Sequence, residues 1–141
     1  MSGSDAEPAI GKLLIEAPIE LRWRDLDALN HVNNASFLTF FEEARLRWFA
    51  TLSSPWTSDA AQPVLAAIHI NYRRQLNWPG QVRAELYCER VGKTSLTIAH
   101  RLLGGDGGNV LYADGNSVLV WIDPASSKPI GIPASILSAC Q

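Results

Sequence analysis

The sequence predicts an α+β domain in which one long central helix is wrapped by a five-stranded antiparallel sheet. Three observations lead there. Apolar residues alternate over one run near the start and over four runs in the second half, the period of half-buried strands. Between them a single stretch, 34 to about 52, repeats its apolar residues at steps of three and four, the period of a helix. Short Gly- and Pro-containing turns separate the late runs, as antiparallel hairpins require.

The elements follow in order. Residues 1–12 are polar and acidic at their start and read as a flexible N-terminus, with one domain over 13–141. Ile19, Leu21 and Trp23 alternate with Glu20, Arg22 and Arg24 and predict the first strand. In the helix, Phe37, Phe41, Ala44, Trp48 and Leu52 form the apolar stripe, widened by Leu38, Phe40, Leu46 and Phe49. Thr39, Glu42, Glu43, Arg45 and Arg47 are left as a narrow polar sector, so this helix must be mostly enclosed. Residues 53–63, with two prolines and several Ser and Thr, form a loop. Strands then run through Ile68-Ile70-Tyr72, Val82-Ala84-Leu86-Cys88, Leu96-Ile98-His100-Leu102 and 109–122, with Gly115 a bulge or a point of close approach. Turns at Trp78-Pro79-Gly80, Val91-Gly92-Lys93 and 104–108 let neighbours pair as hairpins. Pro133 opens a short terminal helix. The apolar positions and edges that one helix leaves uncovered make self-association the natural expectation.

With 141 residues, 47% of them hydrophobic, 18% charged and a net charge of −2, the chain can bury a core without a metal or disulfide staples. Cys88 and Cys140 are the only cysteines, make no CxxC half-site and read as unreactive thiols in a reducing compartment. The slightly acidic balance, without a Lys/Arg run beyond Arg73-Arg74, argues against a nucleic-acid partner. No basic-then-apolar leader and no 20-residue apolar run are seen, so the expectation is a cytoplasmic protein without membrane insertion.

Polar density peaks over residues 24–34, where Asp25, Asp27, Asn30, His31, Asn33 and Asn34 crowd the connection into the helix. Helix capping accounts for one Asn and one acid. The surplus suits chemistry: the first N–H groups of a helix have no internal partner, and beside a carboxylate and an imidazole they can stabilise an oxyanion during acyl transfer to water.

Asp25-Leu26-Asp27, His31-Val32-Asn33-Asn34, Phe37-Leu38 and Phe41-Glu42-Glu43-Ala44-Arg45 resemble the hotdog-fold acyl-CoA thioesterases of the 4-hydroxybenzoyl-CoA thioesterase superfamily, above all the bacterial long-chain acyl-CoA thioesterase branch. The likeness runs from about residue 19 to 133 and takes in 90–95, 120–123 and Lys128-Pro129. It implies a hotdog fold, a homodimer or homotetramer with sites across the dimer interface, and an acyl-CoA substrate. It places the catalytic carboxylate on Asp27 and the oxyanion N–H near Asn34. His31 stands where similar plant acyl-carrier-protein thioesterases also carry a histidine, but Leu29 replaces their Asn, so their residue network does not transfer whole. In relatives the turn holding Arg90, Gly92, Lys93 and Thr94 lies near the coenzyme A tail, and cations at a glycine turn suit phosphates. Asp27 is expected to act as general base or as nucleophile. A thioester is already activated, so no metal and no cofactor are expected, and no HExxH-like spacing is present. Asp25 and Glu43 read as structural, Glu43 pairing with Arg47, and His69 and His100 as packing or interface residues. The alternatives are an acyl-carrier-protein thioesterase and a non-catalytic acyl-CoA-binding hotdog protein.

Overall fold

The run of large apolar residues after Asn33 forms helix α1 (Asn34–Ala50), the axis on which the other elements are laid. The computed structural model describes residues 11–141. Strand β1 (Lys12–Glu20) precedes α1, and β2 (Gln62–Tyr72), β3 (Gln81–Val91), β4 (Ser95–Gly104), β5 (Val110–Ile122) and a short helix α2 (Ala134–Ala139) follow it. The five strands make one antiparallel sheet in the order β1-β3-β4-β5-β2. Each pairing carries one register shift, between Leu13 and Ile15, Leu65 and Ala67, Cys88 and Arg90, and Leu102 and Leu103. Bulges bend strands and raise their twist, and the sheet curls around α1 as the hotdog arrangement requires. The helix packs closest to β1 and β3, and the Arg47 guanidinium donates to the Pro18 carbonyl at 2.7 Å. No helix among the described residues is long and apolar enough to cross a membrane.

Several expectations need correction. The flexible N-terminus was expected over 1–12; residues 1–10 lie outside the described residues, and Lys12 is already in β1. The first strand ends at Glu20 and does not reach Trp23, which is 71% exposed in a 3-10 turn. The cause is local: the Asp25 carboxylate accepts from the Arg22 N–H at 2.9 Å and from its guanidinium at 2.8 Å, turning the chain. The expected β2–β3 hairpin does not form. Tyr72 lies at one edge of the sheet beside Ala113 on β5, while Gln81 pairs with Glu20 on β1 across the far edge, so residues 73–80 cross between them. Periodicity places Arg45 on the polar face, yet it is 7% exposed and its Nη1 has no hydrogen-bond partner among the described residues. That burial pulls its guanidinium below the usual arginine range.

Gly115 is the point of close approach. It sits at φ +146°, and a Cβ there would lie 1.9 Å from the His69 carbonyl oxygen. The missing side chain opens a gap in β5 through which His100 on β4 reaches β2, its Nε2 3.1 Å from that oxygen. The imidazole stacks on Phe41 at 3.9 Å and takes the Ser117 hydroxyl, 3.4 Å away, on Nδ1. This set of partners fits the neutral ring, and burial holds its pKa down at about 4. On the outer face of the sheet Glu85 is buried among Tyr87 Oη (2.7 Å), Arg101 Nη2 (2.6 Å) and Arg83 Nε (2.9 Å). Burial alone would raise its pKa, but these donors hold it below the ordinary value.

Candidate active site

The loop between β1 and α1 is built from its own polar residues. Asp25, nearly buried, holds Arg22 with its carboxylate and takes the Asn33 N–H at 2.7 Å on its carbonyl. It is a structural residue, as expected. Leu26 and Val32 form an isolated antiparallel bridge, and the Asp27 N–H donates to the His31 carbonyl at 2.7 Å, closing a tight turn. Asn30 takes φ +64° in that turn, a conformation that Asn tolerates better than most side chains. Asp27 Oδ1 accepts from the Leu29 N–H at 2.8 Å and the His31 N–H at 3.2 Å. No hydrogen bond to its Oδ2 is formed among the described residues.

The helix start is then assembled from Asn33, the N-cap, whose Oδ1 accepts from the Ala35 N–H at 2.9 Å. The Asn33 carbonyl takes the Ser36 N–H at 2.8 Å, and the Val32 N–H goes to the Leu76 carbonyl at 2.7 Å. Every backbone N–H from Val32 to Ser36 therefore has an acceptor among the described residues except that of Asn34, the first helical residue.

Asp27, His31 and Asn34 line one cleft of about 330 Å³, together with Phe37, Tyr72 and Arg74. The structure thus brings the three predicted catalytic positions together. Tyr72, Arg73, Arg74 and Gln75, at the end of β2, are wall residues that the sequence reading missed; the one available signal was the polar run Asn71 to Gln75 after an apolar strand. Arg73 is held by Asp114 through Nε (3.1 Å) and Nη2 (3.2 Å). Tyr72 donates its hydroxyl to the Asn34 carbonyl at 3.0 Å and sets its ring edge-on to Phe37 at 5.2 Å. Glu43 pairs with Arg47 on the helix surface.

The second predicted group is elsewhere. Arg90, in the last residues of β3, and Gly92, Lys93 and Thr94, in the β3–β4 turn, lie at the end of β3 opposite to Gln81 and the cleft. The length of β3 separates the two by roughly 30 Å. The turn is well anchored: the Gly92 N–H donates to Ser95 O at 2.7 Å, and the Thr94 carbonyl accepts from the Trp121 N–H at 3.0 Å. A Cβ on Gly92 would lie 2.7 Å from Ser95 Oγ.

Residues 21–140 match the family model described as the thioesterase-like superfamily. Among solved structures, a Xanthomonas campestris protein described as "a putative acyl-CoA thioesterase" is 45% identical, with a TM-score of 0.76 over 84% of this chain and 98% of that one. Pseudomonas aeruginosa PA2801, with a thioesterase description of the same kind, is 36% identical, with a TM-score of 0.83 over 92% of this chain and all of that one (100%). The acyl-CoA thioester hydrolase YbgC of Escherichia coli is 23% identical over 128 residues, 89% of this chain and 94% of that protein. The chain belongs to the thioesterase-like superfamily, on the hotdog fold.

Proposed function

We propose that this protein hydrolyses acyl-CoA thioesters, with Asp27 as general base and the Asn34 N–H as oxyanion donor. The observation that carries the reading is the one N–H of the helix start without an acceptor among the described residues, that of Asn34, a residue that lines the same cleft as Asp27. Two backbone donors hold Asp27 Oδ1, which leaves Oδ2 to take a proton from water. That water attacks the thioester carbonyl carbon, and the developing oxyanion meets the Asn34 N–H and the positive end of the α1 dipole. Collapse breaks the C–S bond and releases the acid and the CoA thiolate. The proton held on Asp27 Oδ2 then passes to that thiolate, and we assign His31, half-buried in the same cleft, its relay.

The reading extends to assembly. β2 is an edge strand of 11 residues with Val64 and Leu65 exposed, and an edge of this kind is a template for pairing. Antiparallel pairing of β2 with a second copy reverses the sheet direction, so the partner's β3–β4 turn comes to the end of the sheet that holds Asp27. A homodimer of this form reconciles a coenzyme A contact at that turn with its distance from the cleft in one chain.

Steady-state CoA release from a panel of acyl-CoA thioesters tests the mechanism with three variants. Asp27→Asn should remove most turnover while the fold persists, since the side chain is exposed and, among the described residues, bonded only within its own loop. Asn34→Pro deletes the N–H together with the side chain, whose loss Asn34→Ala controls for: proline suits the first helical position, and Asn33 already has the extended backbone (φ −60°, ψ 136°) that must precede it. It should cost about 10²–10³ in kcat. Asn34→Ala, which keeps the N–H, should stay within about tenfold of wild type. Wild-type turnover in folded Asp27→Asn or Asn34→Pro protein refutes the assignment.

A further inference from the structure

We infer that Tyr72 is a positioning residue for the Asn34 N–H, setting the angle of the oxyanion donor from the edge of the sheet. The inference rests on the reading of the cleft just given. Around Asn34 each peptide group is held. The Asn33 carbonyl takes the Ser36 N–H, the Ala35 N–H goes to Asn33 Oδ1, and the Asn34 carbonyl takes the Tyr72 hydroxyl. The first two bonds are local and turn with the loop if it shifts. The third comes from a residue 38 positions away on β2, so it ties the helix start to the sheet. Packing adds a second restraint, because the Tyr72 ring lies edge-to-face on Phe37, which is itself buried one turn into α1. Tyr72 lines the cleft but makes no hydrogen bond to Asp27 or His31; its hydroxyl is spent on the helix start, and we route its influence on the reaction through that bond. The hydroxyl bond lies at a half-exposed site, where a neutral hydrogen bond contributes little to global stability. Its effect is on aim: misplacing a preorganised donor by a fraction of an ångström costs rate without costing the fold.

Tyr72→Phe removes the hydroxyl and keeps the ring. Expected is a fall in kcat of about tenfold with KM within about twofold, equal for short and long acyl chains, and a thermal midpoint within about 2 °C of wild type. The decisive arm is the double variant. In the Asn34→Pro background, where the donor no longer exists, Tyr72→Phe should change kcat by less than about twofold. An unchanged kcat in the single variant overturns the inference. So does the same loss in both backgrounds, which would place the action of Tyr72 elsewhere, and so does a loss that grows with acyl length, which would make it a wall of the acyl site. If Asn34→Pro alone retains wild-type turnover, the proposed mechanism has failed at its oxyanion donor, a separate result read from a different variant.

Discussion

Acidification should act on one buried residue in particular, His100. His100 has a folded-state pKa of about 4 against an ordinary value of 6.5. Burial is the first cause and the Arg45 charge adds to it, while the bond to the His69 carbonyl and the charge of Asp114 oppose them and His69 itself acts weakly in the same direction as Arg45. Because the folded pKa is depressed, the unfolded chain binds the proton first. The associated stability is complete above about pH 6.5 and is lost as pH falls towards 4. The shift is worth about 3 kcal/mol at full development, a large part of the 5–15 kcal/mol that holds a typical domain. Urea unfolding of wild type and His100→Gln in steps from pH 7.5 to pH 4 measures it. The variant starts less stable, having lost the stack on Phe41, but its profile should be flatter by about 3 kcal/mol over this window. Parallel profiles for the two proteins would show that His100 is not the titrating group, and the argument from its burial would fall.

Gly115→Ala places a methyl 1.9 Å from the His69 carbonyl in a backbone conformation L side chains avoid, so β2 must separate from β5. A loss of at least about 3 kcal/mol is expected in chemical denaturation, and a loss under 1 kcal/mol would contradict the close approach. The two thiols come together in the fold: burial and the neighbouring Cys88 push Cys140 up to about 12. At pH 8 its reaction with an aromatic disulfide reagent should be on the order of 10²-fold slower in the folded protein than in urea, and equal rates would refute the assignment.

Arg45 shows where periodicity stops being informative. Its place in the helix is polar by residue type, and Leu46 beside it is apolar, yet Arg45 is buried and Leu46 is 51% exposed. Phe37, Phe41 and Arg45 follow one another at steps of four along one face, and that face points at the sheet. A wide apolar surface hid the true centre of the stripe, because no single residue type marks the middle of a helix that is apolar over most of its circumference. Trp23 failed for the complementary reason. Alternation continued past Glu20, but a side-chain bond from Asp25 bent the chain before the strand could include it.

What the amino-acid sequence determined by itself is local or periodic. The one long helix, the four late strands, the hairpins at 91–95 and 104–110, the need for glycine at 115 and the concentration of chemistry in residues 25–34 all follow from side-chain spacing and from which backbone angles each residue permits. The tertiary structure decided which strands are neighbours. β2 pairs with β5 and not with β3, because a sheet that curls around a helix can place consecutive strands at opposite edges, and strand order leaves no trace in the alternation of any one strand. That choice puts Tyr72 against Asn34, while the tertiary structure also sets the β3–β4 turn at the far end from Asp27 and leaves the Asn34 N–H as the donor of the helix start without an acceptor among the described residues, since satisfaction of a hydrogen bond depends on every group in reach and not on the residue that carries it.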